Sequence, residues 1–434
     1  VSAPAAPPAP RDVPRVIWSW ALYDWANSAF TTLVTTFIYS TWFSKAMAPD
    51  EVTGTAWWSR AVAVAAILTA VMSPLLGAAA DRAGVRKPFL AVTTALCVAC
   101  TAVLAFIAPS LPNAALIALI VYVIADWGFE TGYTFYNAFL PQIASPGRIG
   151  RVSGYGWGLG YAGGLVCMVI ALVGFASERP WFGMSTAEGF NFRATNLLVA
   201  GWYLVFALPL FLFVPERRTE ALRLDVAGAV RELGRTVKAV GRYREIVKFL
   251  VARLVFNDGL VTVFAFGGIY AMGTFGMTIA EVIVFGIVLN VSSGLGAAAF
   301  GFLDDRIGGK KTIMMTLVAL SVATAIAVWA PTRAWLWVGG VLIGLFVGPN
   351  QSASRSLMGR LVPERHQSEF FGFFQLSGKA TSFVGPLLLG AASLAFHSQR
   401  AGVATVLAFF LVGGILLALV DERRGIEASR ATTD

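Results

Sequence analysis

The chain has 434 residues, of which 57% are hydrophobic before its 44 glycines are counted and only 13% are charged. A soluble domain of this size carries about twice that charged share and needs it to cover its surface, so the composition excludes one. The net charge of +9 does not call for a nucleic-acid partner, because most of the basic residues fall in loops on one side of long apolar runs.

Residues 1–15, rich in Ala and Pro, precede the first apolar run without a small-residue cleavage site and read as a cytoplasmic tail. Apolar runs near the ~20 residues that cross a bilayer follow at 16–44, 57–80, 88–108, 114–138, 152–176 and 195–214. A basic stretch at 215–246 comes next. Six more runs lie at 247–273, 279–303, 312–331, 334–356, 368–396 and 401–420, and 421–434 is a second tail. With the N-terminus inside, most Lys and Arg fall in the tails and inner loops, Arg355 among them at the cytoplasmic rim. Lys45, Arg60, Arg179, Arg193, Arg333 and Arg400 fall outside, and Arg253 and Lys379 lie within spans. This bias predicts that both termini are cytoplasmic. In the linker, Val226, Val230, Leu233, Val237 and Val240 form one helical stripe with Arg231, Arg235, Lys238 and Arg242 off it, the pattern of a helix lying on the lipids of the inner leaflet.

Cys97, Cys100 and Cys167 all sit in apolar runs, which excludes a disulfide framework. The Cys97-x-x-Cys100 spacing is mid-helix without further ligands. No metal site and no cofactor are expected, and no Walker, H-E-x-x-H or nucleophile-elbow motif occurs.

The two halves repeat. Gly77-Ala-Ala-Ala-Asp81-Arg82-Ala-Gly84-Val-Arg86-Lys87 follows span two, and Gly301-Phe-Leu-Asp304-Asp305-Arg306-Ile-Gly308-Gly309-Lys310-Lys311 follows span eight, with Gly, Asp, Arg, Gly and two basic residues at matching positions. Asp24 and Phe30 in span one match Asp258 and Phe264 in span seven, and Leu140-Pro141 matches Val362-Pro363. Gly77 permits close helix approach, and Gly84 and Gly308 a tight turn. Asp81 and Asp305 stand where a carboxylate meets a helix N-terminus or a neighbouring arginine.

With these repeats the chain resembles the major facilitator superfamily over all twelve spans. The resemblance implies an all-α integral membrane fold of twelve transmembrane helices in two pseudo-symmetric six-helix bundles, 16–214 and 247–420. It assigns Gly77, Asp81, Arg82, Gly84, Arg86, Asp305, Arg306, Gly308 and Lys310 to gating at the cytoplasmic side. Leu22-Tyr23-Asp24-Trp25-Ala26-Asn27-Ser28-Ala29-Phe30, Phe256-Asn257-Asp258-Gly259 and the segment Ser377–Pro386 narrow it. They resemble a bacterial permease branch related to the yeast vacuolar amino-acid effluxer of autophagy, which implies amino acids or similar solutes, no enzyme activity, and a bacterial inner membrane.

Ionisable groups at membrane depth are costly and are functional candidates by default. Span one carries Asp24, Asn27, Thr31 and Thr35 along one helical face, and span four Asp126, Glu130, Tyr133 and Asn137. Span seven carries Arg253, Asn257 and Asp258, span ten Asn350, Gln351 and, towards the cytoplasmic rim, Arg355, and span eleven Lys379. Four acids face two intramembrane cations, Arg253 and Lys379, so two carboxylates lack a partner; Arg253 is placed to snorkel. The surplus suits either a proton or a cationic or zwitterionic substrate. The expected partners are thus a small solute, protons and lipid, with the chain a monomer. Six glycines in span five, from Gly154 to Gly164, read as a face for helix sliding rather than as the drug-antiporter motif, whose proline is missing. A membrane-embedded transferase or a receptor is the alternative reading.

Overall fold

The structure is a computed structural model that describes residues 11–177, 179–216, 226–238 and 241–431, with helices as its regular elements. Helix α1 (Pro14–Ala29) runs through a π-helical stretch (Phe30–Phe37) into α2 (Tyr39–Ala46). Then follow α3 (Glu51–Ala83), α4 (Lys87–Leu104), α5 (Ala114–Ala138), the single turn α6 (Leu140–Ile143), α7 (Ile149–Gly174), α8 (Phe190–Arg193) and α9 (Thr195–Phe213). After α10 (Val226–Lys238) come α11 (Arg244–Phe275), α12 (Ile279–Ile307), α13 (Gly309–Val328), α14 (Arg333–Leu361), α15 (Gln367–Lys379), α16 (Val384–Ala395), α17 (Gln399–Ala418) and α18 (Glu422–Arg430).

Among the described residues, nine helical stretches are long and apolar enough to cross a membrane, and they coincide with predicted spans two to nine and twelve. The other three predicted spans are helical but irregular or polar. Span one changes pitch in the π-helical stretch, span ten (α14) carries Asn350, Gln351, Arg355 and Arg360, and span eleven is split after Lys379 into α15 and α16. Such irregular, polar backbone is tolerated at membrane depth only where protein or a wet cavity surrounds it.

The motif turns obey local rules. Helix α3 ends at Gly84 (φ 67°) and α12 at Gly308 (φ 92°), a region that glycine enters without steric cost. Apolar side chains gather in two cores. One draws on residues 17–214 and includes Trp20, Phe30 and Phe135; the other draws on 246–420 and includes Phe249, Phe256 and Phe371. Ala138 crosses over, sitting on α5 but packing in the second core. The two parts meet along two seams, α3 on α15 and α7 on α12. Backbones touch there: a Cβ at Gly372 would lie 2.5 Å from the Ser73 carbonyl, and one at Gly154 2.5 Å from that of Ala297. Arg11 and α18 border one cavity, so the ends of the described chain share one face, called here the terminal face. The linker helix lies against α3, and Val240 of its predicted stripe falls outside the described residues.

Candidate functional site

The first cluster forms where α1, α5, α7 and α14 converge. Asp24 on α1 is 1% exposed, and its Oδ2 accepts from Arg355 Nη1 at 2.9 Å while its Oδ1 accepts from the Tyr133 hydroxyl at 2.9 Å. Arg355 also donates from Nε to Ser153 Oγ (2.9 Å), from Nη2 to the Ser153 carbonyl (2.7 Å) and from Nη1 to Asn137 Oδ1 (3.4 Å). Its guanidinium lies 4.9 Å from the Trp20 ring centre and 5.6 Å from those of Tyr136 and Trp157. Asn27 receives the Tyr133 hydroxyl at 3.4 Å.

This overturns one expectation. Arg355 is not at the rim: it is 1% exposed and joins the two parts of the molecule through Asp24. The sequence places it at the rim because it stands at the end of predicted span ten, whereas α14 continues to Leu361. With Arg355 counted, the formal surplus of negative charge falls from two to one, yet among the described residues only Asp24 and Glu130 of the four acids join ion pairs. Glycine makes the room: a Cβ at Gly156 would lie 2.6 Å from both Arg355 Nη2 and Asp24 Oδ2.

The second cluster surrounds the break in span eleven. Lys379, the last residue of α15, pairs with Glu130 of α5 at 2.6 Å, with the lysine side chain 33% and the glutamate 11% exposed. Gln375 Nε2 donates to Glu130 Oε2 at 3.1 Å. Asp126 lies one turn before Glu130 on the same helix and is buried. The break frees backbone carbonyls, and α11 supplies their donors. Arg253 Nη1 donates to the Phe374 carbonyl (2.6 Å) and to Ser377 Oγ (2.7 Å), and Asn257 Nδ2 to the Gly378 carbonyl (3.1 Å). Arg253 does not snorkel; it lies over the Phe374 ring at 3.6 Å. Asp258 accepts from the Thr381 hydroxyl at 3.1 Å and, among the described residues, joins no ion pair.

Other candidates point elsewhere. Asn350 is buried and donates to Thr316 of α13, inside its own part of the molecule. Gln351 instead crosses the seam, accepting the Tyr161 hydroxyl at 2.8 Å. Thr31 and Thr35 fall in the π-helical stretch; Thr35 Oγ1 accepts the Tyr122 hydroxyl of α5 at 3.4 Å, whereas Thr31 turns back to the Ser28 carbonyl of its own helix.

At the terminal face, each motif aspartate reaches the N-terminus of a helix across a seam. Asp81 accepts the N–H groups of Ser368 (3.1 Å) and Glu369 (2.8 Å) at the start of α15, and Arg86 Nη2 at 3.1 Å. Arg86 also donates to Gln367 at 2.7 Å. Asp305 accepts the N–H groups of Gly150 (2.8 Å) and Arg151 (3.3 Å) at the start of α7, and Arg151 Nε at 2.5 Å. Gly77 lets α3 approach the Ser368 carbonyl where a Cβ would collide. Arg306 is exposed, whereas Arg82 is part-buried. Asp304, which has no acidic counterpart in the first motif, pairs with Arg360 at 2.6 Å and accepts the Ser356 hydroxyl.

Two further residues complete these loops. Glu216 accepts the N–H groups of Arg86 and Lys87, and Lys87 Nζ donates to the Phe211 carbonyl. Glu422 accepts those of Gly309 (3.1 Å) and Lys310 (3.0 Å), and Lys310 Nζ donates to the carbonyls of Ala418 and Val420. The signal was in the sequence: Val214-Pro215-Glu216-Arg217-Arg218 and Val420-Asp421-Glu422-Arg423-Arg424 are a further repeat. A cavity of about 530 Å³ opens at this face between the two parts, bordered by Arg11, Asp304, Arg360, Glu364 and Glu422.

Comparison with known proteins adds family context. The family described as "Vacuole effluxer Atg22 like" matches residues 47–430. The chain is 30% identical to the uncharacterised MFS-type transporter YxiO of Bacillus subtilis, covering 96% of this chain and 97% of that one. It is 25% identical to autophagy-related protein 22-1 of Penicillium rubens over 63% of this chain, and spans about half of that relative's length (50%). The solved proton:xylose symporter XylE superposes with a TM-score of 0.74 at 13% identity, covering 97% of this chain and 98% of that chain. The fucose:proton symporter FucP of E. coli superposes with a TM-score of 0.73 at 14% identity, covering 94% and 98%.

Proposed function

The chain belongs to the family of Atg22-like vacuole effluxers within the major facilitator superfamily, and on that premise we propose that it is a secondary transporter working by alternating access. In this reading, twelve helices form two six-helix halves, 16–214 and 247–420, the terminal face is cytoplasmic, and the protein sits in a bacterial inner membrane. The cargo is a small zwitterion or cation, an amino acid or a close relative. The Bacillus relative supports the setting, and the two seams closed by Asp81 and Asp305 support a cytoplasmically shut state.

The observation that carries the cargo assignment is the Glu130–Lys379 pair at the break in span eleven. The glutamate is nearly buried and the lysine a third exposed, so the pair bears part of the desolvation cost of a buried one, and removing either partner strands the other. A zwitterion can enter such a pair without stranding either charge: its carboxylate takes Lys379 while its amine takes Glu130, with Asp126 one turn away. The pair also joins the halves, so inserting a solute between its members weakens their grip and couples binding to movement. Asp258, held by a hydroxyl and by no cation, is the carboxylate we assign to proton coupling, since a lone buried carboxylate loads and releases a proton as its surroundings turn dry or wet.

Flux in proteoliposomes tests the reading. Labelled amino acids should accumulate against their gradient under an imposed pH gradient, and Glu130→Gln and Lys379→Met should each abolish accumulation. A purified protein that binds amino acids but moves none of them overturns the transporter reading.

A further inference from the structure

The surroundings of Arg355 form a complete receptor for its head group. Four of its five guanidinium N–H bonds are directed at acceptors: Nε–H at Ser153 Oγ, two Nη1–H at Asp24 and Asn137, and one Nη2–H at the Ser153 carbonyl. Three aromatic rings, Trp20, Tyr136 and Trp157, stand 4.9–5.6 Å from its central carbon. All six residues belong to the part of the chain before the linker, whereas Arg355 belongs to the part after it. Trp20 and Tyr136 stack on each other at 4.6 Å, and the Trp20 indole N–H donates to the Tyr136 carbonyl, so the cage wall is built without help from Arg355. Gly156 keeps the floor open where any Cβ would strike both charges.

We propose that this cage is a binding site for a guanidinium-bearing cation, and that Arg355 occupies it as a tethered ligand when the terminal face is shut. The proposal rests on the alternating-access reading in one respect: when the halves part at that face, α14 carries Arg355 away and opens the cage to the adjoining compartment. A free guanidinium cation then takes its place, satisfying Asp24 and the Ser153 acceptors, and delays reclosure. The planar fork of donors fits these acceptors and a stacked ring, which a compact ammonium does not. A tethered group acts at a roughly millimolar effective concentration or above, so a free cation competes with Arg355 only at comparable concentrations. The cage is thereby a sensor of guanidinium compounds, separate from the Glu130–Lys379 pair.

The test uses the full-length purified protein and methylguanidinium as probe. Arg355→Ala empties the cage; millimolar methylguanidinium should raise its melting temperature saturably, with methylammonium roughly tenfold weaker because it lacks the fork. Adding Asp24→Asn to Arg355→Ala should remove the effect. No saturable shift, an equal shift with methylammonium, or a shift that survives Asp24→Asn would each overturn the site. Should Arg355→Ala not fold, the otherwise native chain carries the test. A cysteine at Ala138, which is buried against the other part of the molecule, should label faster from the terminal side in methylguanidinium than in methylammonium; equal rates overturn the competition. Failure of transport with a positive result in these assays would remove the alternating-access reading and leave the cation site standing.

Discussion

The two terminal latches look alike, yet the structure makes them unequal, and Asn substitutions should show it. Asp81 holds the other half through two backbone N–H bonds, and its arginine, Arg86, lies on its own loop. Asp305 holds two backbone N–H groups and also Arg151, which belongs to the opposite half. Hydrogen bonds to a charged group contribute about 1.5–3 kcal/mol each, and an amide keeps only one weakened acceptor. Asp81→Asn should therefore shift the shut-to-open balance by about 2 kcal/mol, roughly thirtyfold. Asp305→Asn also loses an ion pair whose carboxylate is 2% exposed, and should shift it by about 3 kcal/mol, roughly 150-fold. The reporter is a cysteine at Ala138, which is 0% exposed and packed in the second core, in a background lacking Cys97, Cys100 and Cys167. A membrane-impermeant maleimide added on the terminal side should label both variants faster than the parent, Asp305→Asn the more so. Equal rates in all three proteins, or the reverse order in the two variants, would refute the reasoning.

Gly156→Ala should drive Arg355 from Asp24 and cost about 1–3 kcal/mol, read as a lower melting temperature and faster Ala138Cys labelling. Gly201→Ala, where a Cβ meets nothing within 4 Å, should lower neither and serves as the control. The double variant Glu130→Gln with Lys379→Met should be more thermostable than either single variant, because each single change strands a partly buried charge, at a cost below the roughly 3–5 kcal/mol of a fully buried one; additive losses in the cycle would show the two residues to be independent. Asp258→Asn should abolish accumulation driven by a pH gradient and spare exchange at equal pH, as measured with labelled solute in proteoliposomes; intact accumulation removes Asp258 from coupling.

Much of this arrangement is legible in the sequence, for identifiable reasons. Apolar length and the duplicated motif place most helices, because a bilayer demands long apolar runs and Gly84 and Gly308 each mark a turn. Hydropathy also finds the Glu130 and Lys379 positions, since charges inside apolar runs stand out. It puts Arg355 at the rim, because the apolar window of span ten ends there while the polar end of α14 runs on to Leu361; a helix buried on most sides by protein can be polar where one facing lipid cannot. The stripe through Thr31 and Thr35 assumes a period of 3.6 residues, which the π-helical stretch does not keep. Which acid meets which cation is a matter of packing between halves, and spacing along one helix carries no information about it.

Glu216 and Glu422 each tie the end of a half's last long helix to that half's own motif turn. Each of these loops thus owes its shape to bonds within its own part of the chain, which the proposed opening leaves intact. The conformational entropy of ordering a loop, about 1–2 kcal/mol per residue, is then met once, on folding, and not at every turnover. A latch that arrives preformed has only to align two rigid surfaces, so it closes with little reorganisation and releases without unravelling. In the proposed cycle, the speed of gating is then set by bonds that stay within one part of the chain.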